Sequence, residues 1–284
     1  MISPSASLAA RVPLLADFSL VVSSKKVPEL GQAGSVIPPA TRVLMPFKDS
    51  EDRTARLETA RSVRALGFTP VPVIAARGLL SEEMLRAYLA GLRAAGAAAA
   101  ALIVGGDPEQ PRGPYPDAGS VIGSGLLEEH VVRHVSVAGH PGGHPAVADD
   151  VLWSALAAKA AALERRGLDG SVITQFGFDA ELVLTWLASL RARGISLPAR
   201  VSVPGPASAP ELLRYAALCG VGVSADAARR YGLTPDGPEG EVGPQRFIRS
   251  LAAGYDARLH GEVKLHFETF GGVTALADWL ARAS

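Results

Sequence analysis

Residues 134–176 read HVSVAGHPGGHPAVADDVLWSALAAKAAALERRGLDGSVITQF. The stretch opens on a short apolar run and turns on glycines and prolines. It then passes through a helical run at 151–166, closed by Gly167, into a second apolar run. That is a strand–helix–strand unit whose strands are apolar on both faces, as strands of a parallel sheet are when helices cover them. Working outward in both directions, the same alternation recurs until eight apolar runs are found, at 18–24, 42–47, 70–76, 100–105, 134–139, 171–176, 199–203 and 262–267. Eight strand-then-helix units predict an α/β protein of the (β/α)8 TIM-barrel type.

The helical runs between them carry their own punctuation. The spacing predicts helices over 52–66, 151–166, 180–193 and 210–218, and one beginning after Ser81, an N-cap followed by Glu82 and Glu83. Gly67, Gly96, Gly167, Gly194 and Gly220 each stand just past a helical run. Residues 26–40 leave room for only a short first helix, and 225–245 read as a long loop before the last helix–strand unit. No linker interrupts the pattern, so one domain is expected over 1–284, with 1–16 as a lead-in segment and not a signal peptide.

Composition excludes several classes. With 28 basic and 28 acidic residues the chain has no net charge, which argues against nucleic acid as a partner. The single cysteine, Cys219, rules out an intramolecular disulfide and any multi-cysteine metal site, and suits a reducing cytoplasm. No apolar run is long enough for a membrane span. Apolar helix faces leave room for a homo-oligomer.

A barrel of this kind places its chemistry on the loops after the strands. Strand 4 runs into Gly105-Gly106-Asp107, where glycines admit a flat ligand and the Asp107 carboxylate can hydrogen-bond its edge, or else cap the turn. Strand 5 leads to His140 and His144. The prolines and glycines between them prevent the one-face helical pair of a zinc site, and no third ligand is apparent, so no metal is expected. Strand 6 ends at Gln175, whose amide offers a donor and an acceptor to a heterocycle such as a pterin, or is satisfied by nearby backbone. Phe176 and Phe178 follow, placed to stack on a ligand or to pack the core. Strand 8 carries His266 and Glu268 on one face. Glu268 is the candidate general acid, the alternative being an ion pair with Lys264 or an arginine. No glycine-rich phosphate motif supports a Rossmann or P-loop reading.

These strand ends, in this order, resemble the methylenetetrahydrofolate reductase family. The resemblance is carried by IVGGDP (103–108), VSVAGHPGGHP (135–145), ITQFGFD (173–179), VKLHFET (263–269) and the run 191–203 with Pro204-Gly205-Pro206, and it extends from about residue 18 to 280. It implies a (β/α)8 barrel that interconverts 5,10-methylene- and 5-methyltetrahydrofolate, with FAD reduced by NADH or NADPH. It allows the oxidative direction of a demethylation pathway. Asp107, with Gly106, would lie by the flavin and pterin. Gln175 would meet the folate, with Phe178 and His266 beside it. His140 and His144 would lie against the flavin, and Lys159 would face its phosphates. Three positions depart from the family pattern. The first-strand glutamate is replaced by Leu20 or Val21, the histidine after a proline in strand 3 by Val73, and the arginine before Gly-Asp by Gly105. An apolar side chain donates no proton. Glu268 is therefore the expected replacement acid, direct hydride transfer from a nicotinamide is an alternative to flavin, and a catalytically silent folate-binding protein or partner subunit is the competing expectation.

Overall fold

A computed structural model describes residues 13–46, 52–233 and 241–283. Eight parallel strands close into a barrel: β1 (Ser19–Val21), β2 (Arg42–Met45), β3 (Thr69–Ala75), β4 (Ala100–Val104), β5 (His134–Gly139), β6 (Asp169–Thr174), β7 (Ala199–Pro204) and β10 (Val263–Glu268). The two intervening strands, β8 (Ala207–Ser208) and β9 (Glu241–Val242), form a separate antiparallel pair. The chain is thus the (β/α)8 TIM barrel that its alternation predicts.

Side chains alternate across each strand, and the alternation sorts the barrel into two cores. Leu20, Val43, Ile103, Val137, Val201 and Phe267 point outward into the layer beneath the helices. Leu44, Val71, Val73, Leu102 and Ile173 point inward and fill the barrel. The inward face is not wholly apolar. Ser19, paired in register with His266, shares a hydrogen bond of 2.8 Å with its Nδ1. At the foot, the buried Arg200 donates to the Asp17 carbonyl at 2.8 Å and its carboxylate at 3.1 Å. His134 and Ser136 both bond Ser171. Burial, with Arg42 and Arg200 nearby, pushes the His134 pKa down to about 4.

The α-helices of the described residues are α1 (Val27–Gln32), α2 (Arg53–Ala65), α3 (Glu82–Ala94), α4 (Ala118–Gly123), α5 (Leu126–Glu129), α6 (Asp149–Arg166), α7 (Ala180–Ala192), α8 (Ala209–Leu218), α9 (Ala225–Tyr231), α10 (Gln245–Gly254), α11 (Ala257–His260) and α12 (Val273–Ala283). Ser81 caps α3 as expected, accepting from Met84 N, and Asp52 caps α2 by accepting from Ala55 N. All five glycines expected past helix ends take positive φ, between 63° and 87°. No helix among the described residues is long and apolar enough to cross a membrane.

The long-loop reading of 225–245 needs correction. Ala225–Tyr231 is helical, capped by Ser224, and Tyr231 is driven into the core with its hydroxyl on Pro204 O at 2.6 Å. The signal was Ser224 before a run with alanines and arginines; the glycines and prolines further on obscured it. Residues 234–240 lie outside the described residues, as do Phe47 and Lys48 at the end of strand 2 and residues 1–12 of the lead-in. Leu14 and Leu15, which end that lead-in, are buried.

At the top of the barrel β7 and β10 meet through Gly205, whose N–H donates to Glu268 O at 2.7 Å. A Cβ at position 205 would overlap that same oxygen, which is backbone and cannot step aside. Gly205→Ala should therefore lower stability by about 1–3 kcal/mol, the cost of overpacking a close contact. Chemical denaturation of the two proteins checks this, and an unchanged midpoint would refute it.

Candidate functional site

Inward alternation carried past the strand ends brings the candidate residues to one mouth. On β10, Glu268 follows His266 on the inner face; on β6, Gln175 follows Ile173; on β5, His140 follows Ala138. Gln175 and His140 are direct neighbours, since each follows a residue of the paired set Gly139 and Thr174, and Gln175 N donates to Gly139 O at 2.7 Å. Asp107 stands after the β4 turn at Gly106, where φ is +89° and a Cβ would press to 3.0 Å from that of Ala75. Asp107 is exposed and makes no hydrogen bond or ion pair among the described residues, so it does not serve as a turn cap.

Cys219 reports how close these groups lie. It follows α8, in the excursion between β7 and β10, and its thiol pKa is raised first by burial and then by the carboxylates of Glu268 and Asp107. Its carbonyl accepts from Gln175 Nε2 at 2.9 Å. The amide donor is thus satisfied by backbone, as one reading of the sequence allowed, but by backbone from a segment that lies across the mouth. Sequence reasoning missed this segment. Cys219 was weighed for a disulfide, a metal site and redox setting, not for its backbone, and the available signal was Gly220 and Gly222 on a loop after strand 7.

Glu268 makes no ion pair among the described residues. The protein packed around its carboxyl strips it of water and pushes its pKa up to about 7, while the Ser202 hydroxyl pulls the other way. Below it, His266 is fully buried, and burial together with Arg200 holds its pKa near 3. His266 was expected among the substrate-binding residues. It lies one layer beneath Glu268, with no exposed surface to offer a ligand.

Phe178 also differs from expectation. It is 4% exposed and packs edge-on against Phe176 and Tyr231, with ring centroids 6.1 Å and 4.9 Å away. It forms the wall of a cleft and offers no open ring face. That cleft, about 450 Å³, lies between Gln175–Val183 and Gly220–Ser224, with Pro141 and Gly142 on its far side. The more open aromatics are Phe270 and Tyr215, stacked at 4.2 Å.

A second cleft of about 300 Å³ opens behind the β5 loop and holds His140 and Lys159 together. Burial, then Lys159, then His144, push the His140 pKa down to about 4, so this ring is neutral at ordinary pH. His144 is exposed and stands edge-on to His140 at 5.5 Å, with its Nδ1 accepting from Ala146 N. Among the described residues no group of three or more His, Cys, Asp or Glu is arranged to hold a metal ion.

Leu20 points outward into the helix layer, whereas Val21 faces the barrel interior, and Val21 O accepts from Thr269 Oγ1 at 2.6 Å.

No family model matches the sequence. Among solved structures the fold recurs in an uncharacterized protein from Clostridium thermocellum that binds two copies of 5-methyl-5,6,7,8-tetrahydrofolic acid. The superposition has a TM-score of 0.59 and covers 94% of this chain and 93% of that one, at 9% sequence identity. The likeness is one of fold.

The raised Glu268 pKa has a thermodynamic signature. Between its ordinary value of 4.5 and its folded value of about 7, the unfolded chain releases the proton while the folded protein keeps it. The unfolded state then binds fewer protons, so stability falls as pH rises through this window and stays lower above it. Glu268→Gln removes that penalty. Its melting temperature should exceed the wild-type value at pH 8 by roughly 2–4 °C for each kcal/mol recovered, with little difference at pH 5. Equal melting curves at both pH values would show the carboxyl to be well hydrated.

Proposed function

We propose that the barrel mouth binds a reduced folate and interconverts its 5,10-methylene and 5-methyl forms. The observation that carries this reading is Glu268: a carboxyl with a pKa near 7, on the inner face of the mouth, within electrostatic reach of Cys219, whose carbonyl holds Gln175. The folate bound by the Clostridium thermocellum protein of like fold supports the choice of ligand.

Each residue then has a distinct task. Gln175 turns its amide from the Cys219 carbonyl to the pterin edge, exchanging one hydrogen bond for another. Protonated Glu268 gives its proton to the folate nitrogen released when the methylene bridge opens to an iminium. The Asp107 carboxylate stabilises the positive charge that develops. Hydride from a reduced nicotinamide, a second substrate, reduces the iminium carbon to methyl. In the reverse direction ionised Glu268 takes the proton back. Val21 contributes none of this, since it has no proton to give.

The residues around His140 and Lys159 do not fit a flavin dinucleotide. Their cleft is about 300 Å³, Lys159 is its only cation, and the neighbouring first turn of α6 carries Asp149 and Asp150 where a diphosphate would need positive charge. No step here is routed through FAD.

A second reading, a folate-binding protein without chemistry, is favoured by one observation: the inward place of the family acid is Val21, and nothing on β1 replaces it.

Purified protein, titrated with 5-methyltetrahydrofolate and assayed for NADH and NADPH oxidation with the methylene form, separates the two readings. Under the first, Glu268→Gln lowers turnover by about 10²–10⁴ while folate affinity stays within about twofold. Wild-type turnover in the reductive direction falls as pH rises above about 7, because the proton donor is lost. Turnover unaffected by Glu268→Gln would remove this residue from the mechanism. Under the second reading no turnover is seen in the wild type, and Val21→Glu creates it.

Gln175→Ala should weaken folate binding by roughly tenfold, the worth of about 1.4 kcal/mol. Isothermal titration checks this, and unchanged affinity would discard the amide's role.

A further inference from the structure

The two clefts flanking the β5 loop adjoin, and one of them is lined by a cation. They share Pro141, Gly142 and Leu182 as a common wall. Gly142 leaves room at that wall, since a Cβ there would meet only Leu182 Cδ2, at 4.0 Å. Gln175 lines one cleft; its neighbour His140 lines the other, together with Lys159.

Lys159 is drawn into the protein and makes no hydrogen bond or ion pair among the described residues. The acid that bears on it, Asp117, is engaged in capping α4 through Ser120 N at 2.8 Å. Lys159 is half-buried and lines the cleft, and an ammonium that no protein group neutralises there suits an anionic ligand group. Its walls are of a kind that takes an aryl group. Trp153 and Trp186 stack at 5.4 Å, and the guanidinium of Arg193, 4.2 Å from the Trp153 ring centroid, braces them. Asp149 also lines this cleft and is able to accept from an amide N–H of the ligand.

The geometry points to Lys159 as the anchor for the glutamate carboxylate of a folate whose pterin is held at Gln175, the p-aminobenzoyl ring crossing over Gly142. This deepens the folate reading and rests on it. Lys159 is then a specificity residue: it selects the tailed substrate over a bare pterin.

The test compares dissociation constants for 5-methyltetrahydrofolate and for 6-methyltetrahydropterin, which lacks the tail. In the wild type the folate should bind at least roughly tenfold tighter, equivalent to about 1.4 kcal/mol. Lys159→Met should erase that advantage and leave the tetrahydropterin constant within about twofold, while Lys159→Arg retains most of it. An advantage that survives Lys159→Met overturns the assignment, as does an equal loss for both ligands. If the wild type binds neither, the folate reading itself fails and this inference with it, an outcome visible before any variant is made. A measurement on the unaltered protein guards against a variant that misfolds. Free p-aminobenzoylglutamate should displace 5-methyltetrahydrofolate and its uncharged diethyl ester should not; equal displacement overturns the role of charge.

Discussion

Closure of the sheet between β1 and β10 is the constraint on which the rest of the structure depends. Once Ser19 is in register with His266 and Leu20 with Phe267, every strand has two neighbours and no edge remains to satisfy. Each side chain is then committed to the helix layer or to the barrel interior. A shift of one residue would exchange the two sets. It would send Phe267 inward and turn Glu268 out beneath the helices. The mouth therefore exists because register is fixed at the seam, and the Thr269 hydroxyl on Val21 O reinforces the seam at its upper end.

Within that frame a single physical effect sets the chemistry of several groups. Loss of water raises the pKa of Glu268 and lowers those of His140, Lys159 and His266. The outcomes differ because the surroundings differ. His266 has Ser19 on one nitrogen and is sealed inside. His140 faces a cleft beside an ammonium. Glu268 lies where a buried interior meets a mouth, and so is the group whose protonation changes near neutrality.

Much of this was legible in the sequence. Strands buried on both faces announce themselves as apolar runs, and seven of the eight had an end correct to within a residue or coincided outright, as His134–Gly139 did. Position after a strand was enough to nominate Gln175, Glu268, Asp107 and His140, because barrel topology converts chain order into a place on the rim. What sequence could not convey was depth. His266 and Glu268 differ by two residues and share a face, yet one is sealed and the other reaches the mouth. Phe178 could stack on a ligand or pack the core, and sequence did not decide between them; Tyr231, from a helix not expected in that stretch, packs against it and makes it a wall. The hold of Gln175 on Cys219 spans 44 residues, and no local pattern encodes such a contact.

The polar contacts at the foot and along the seam are among the longest-range in the chain. Asp17 meets Arg200 across 183 residues and Ser19 meets His266 across 247. During synthesis, then, the first strand emerges long before the partners that complete it exist. A nascent chain lacking its last strand leaves Ser19 and the inner face of β1 facing water, with Arg200 positioned but its surroundings still open. Loop-closure entropy is met late and all at once. An unfinished chain therefore leaves β1 with an open edge until Val263–Glu268 is available to pair with it.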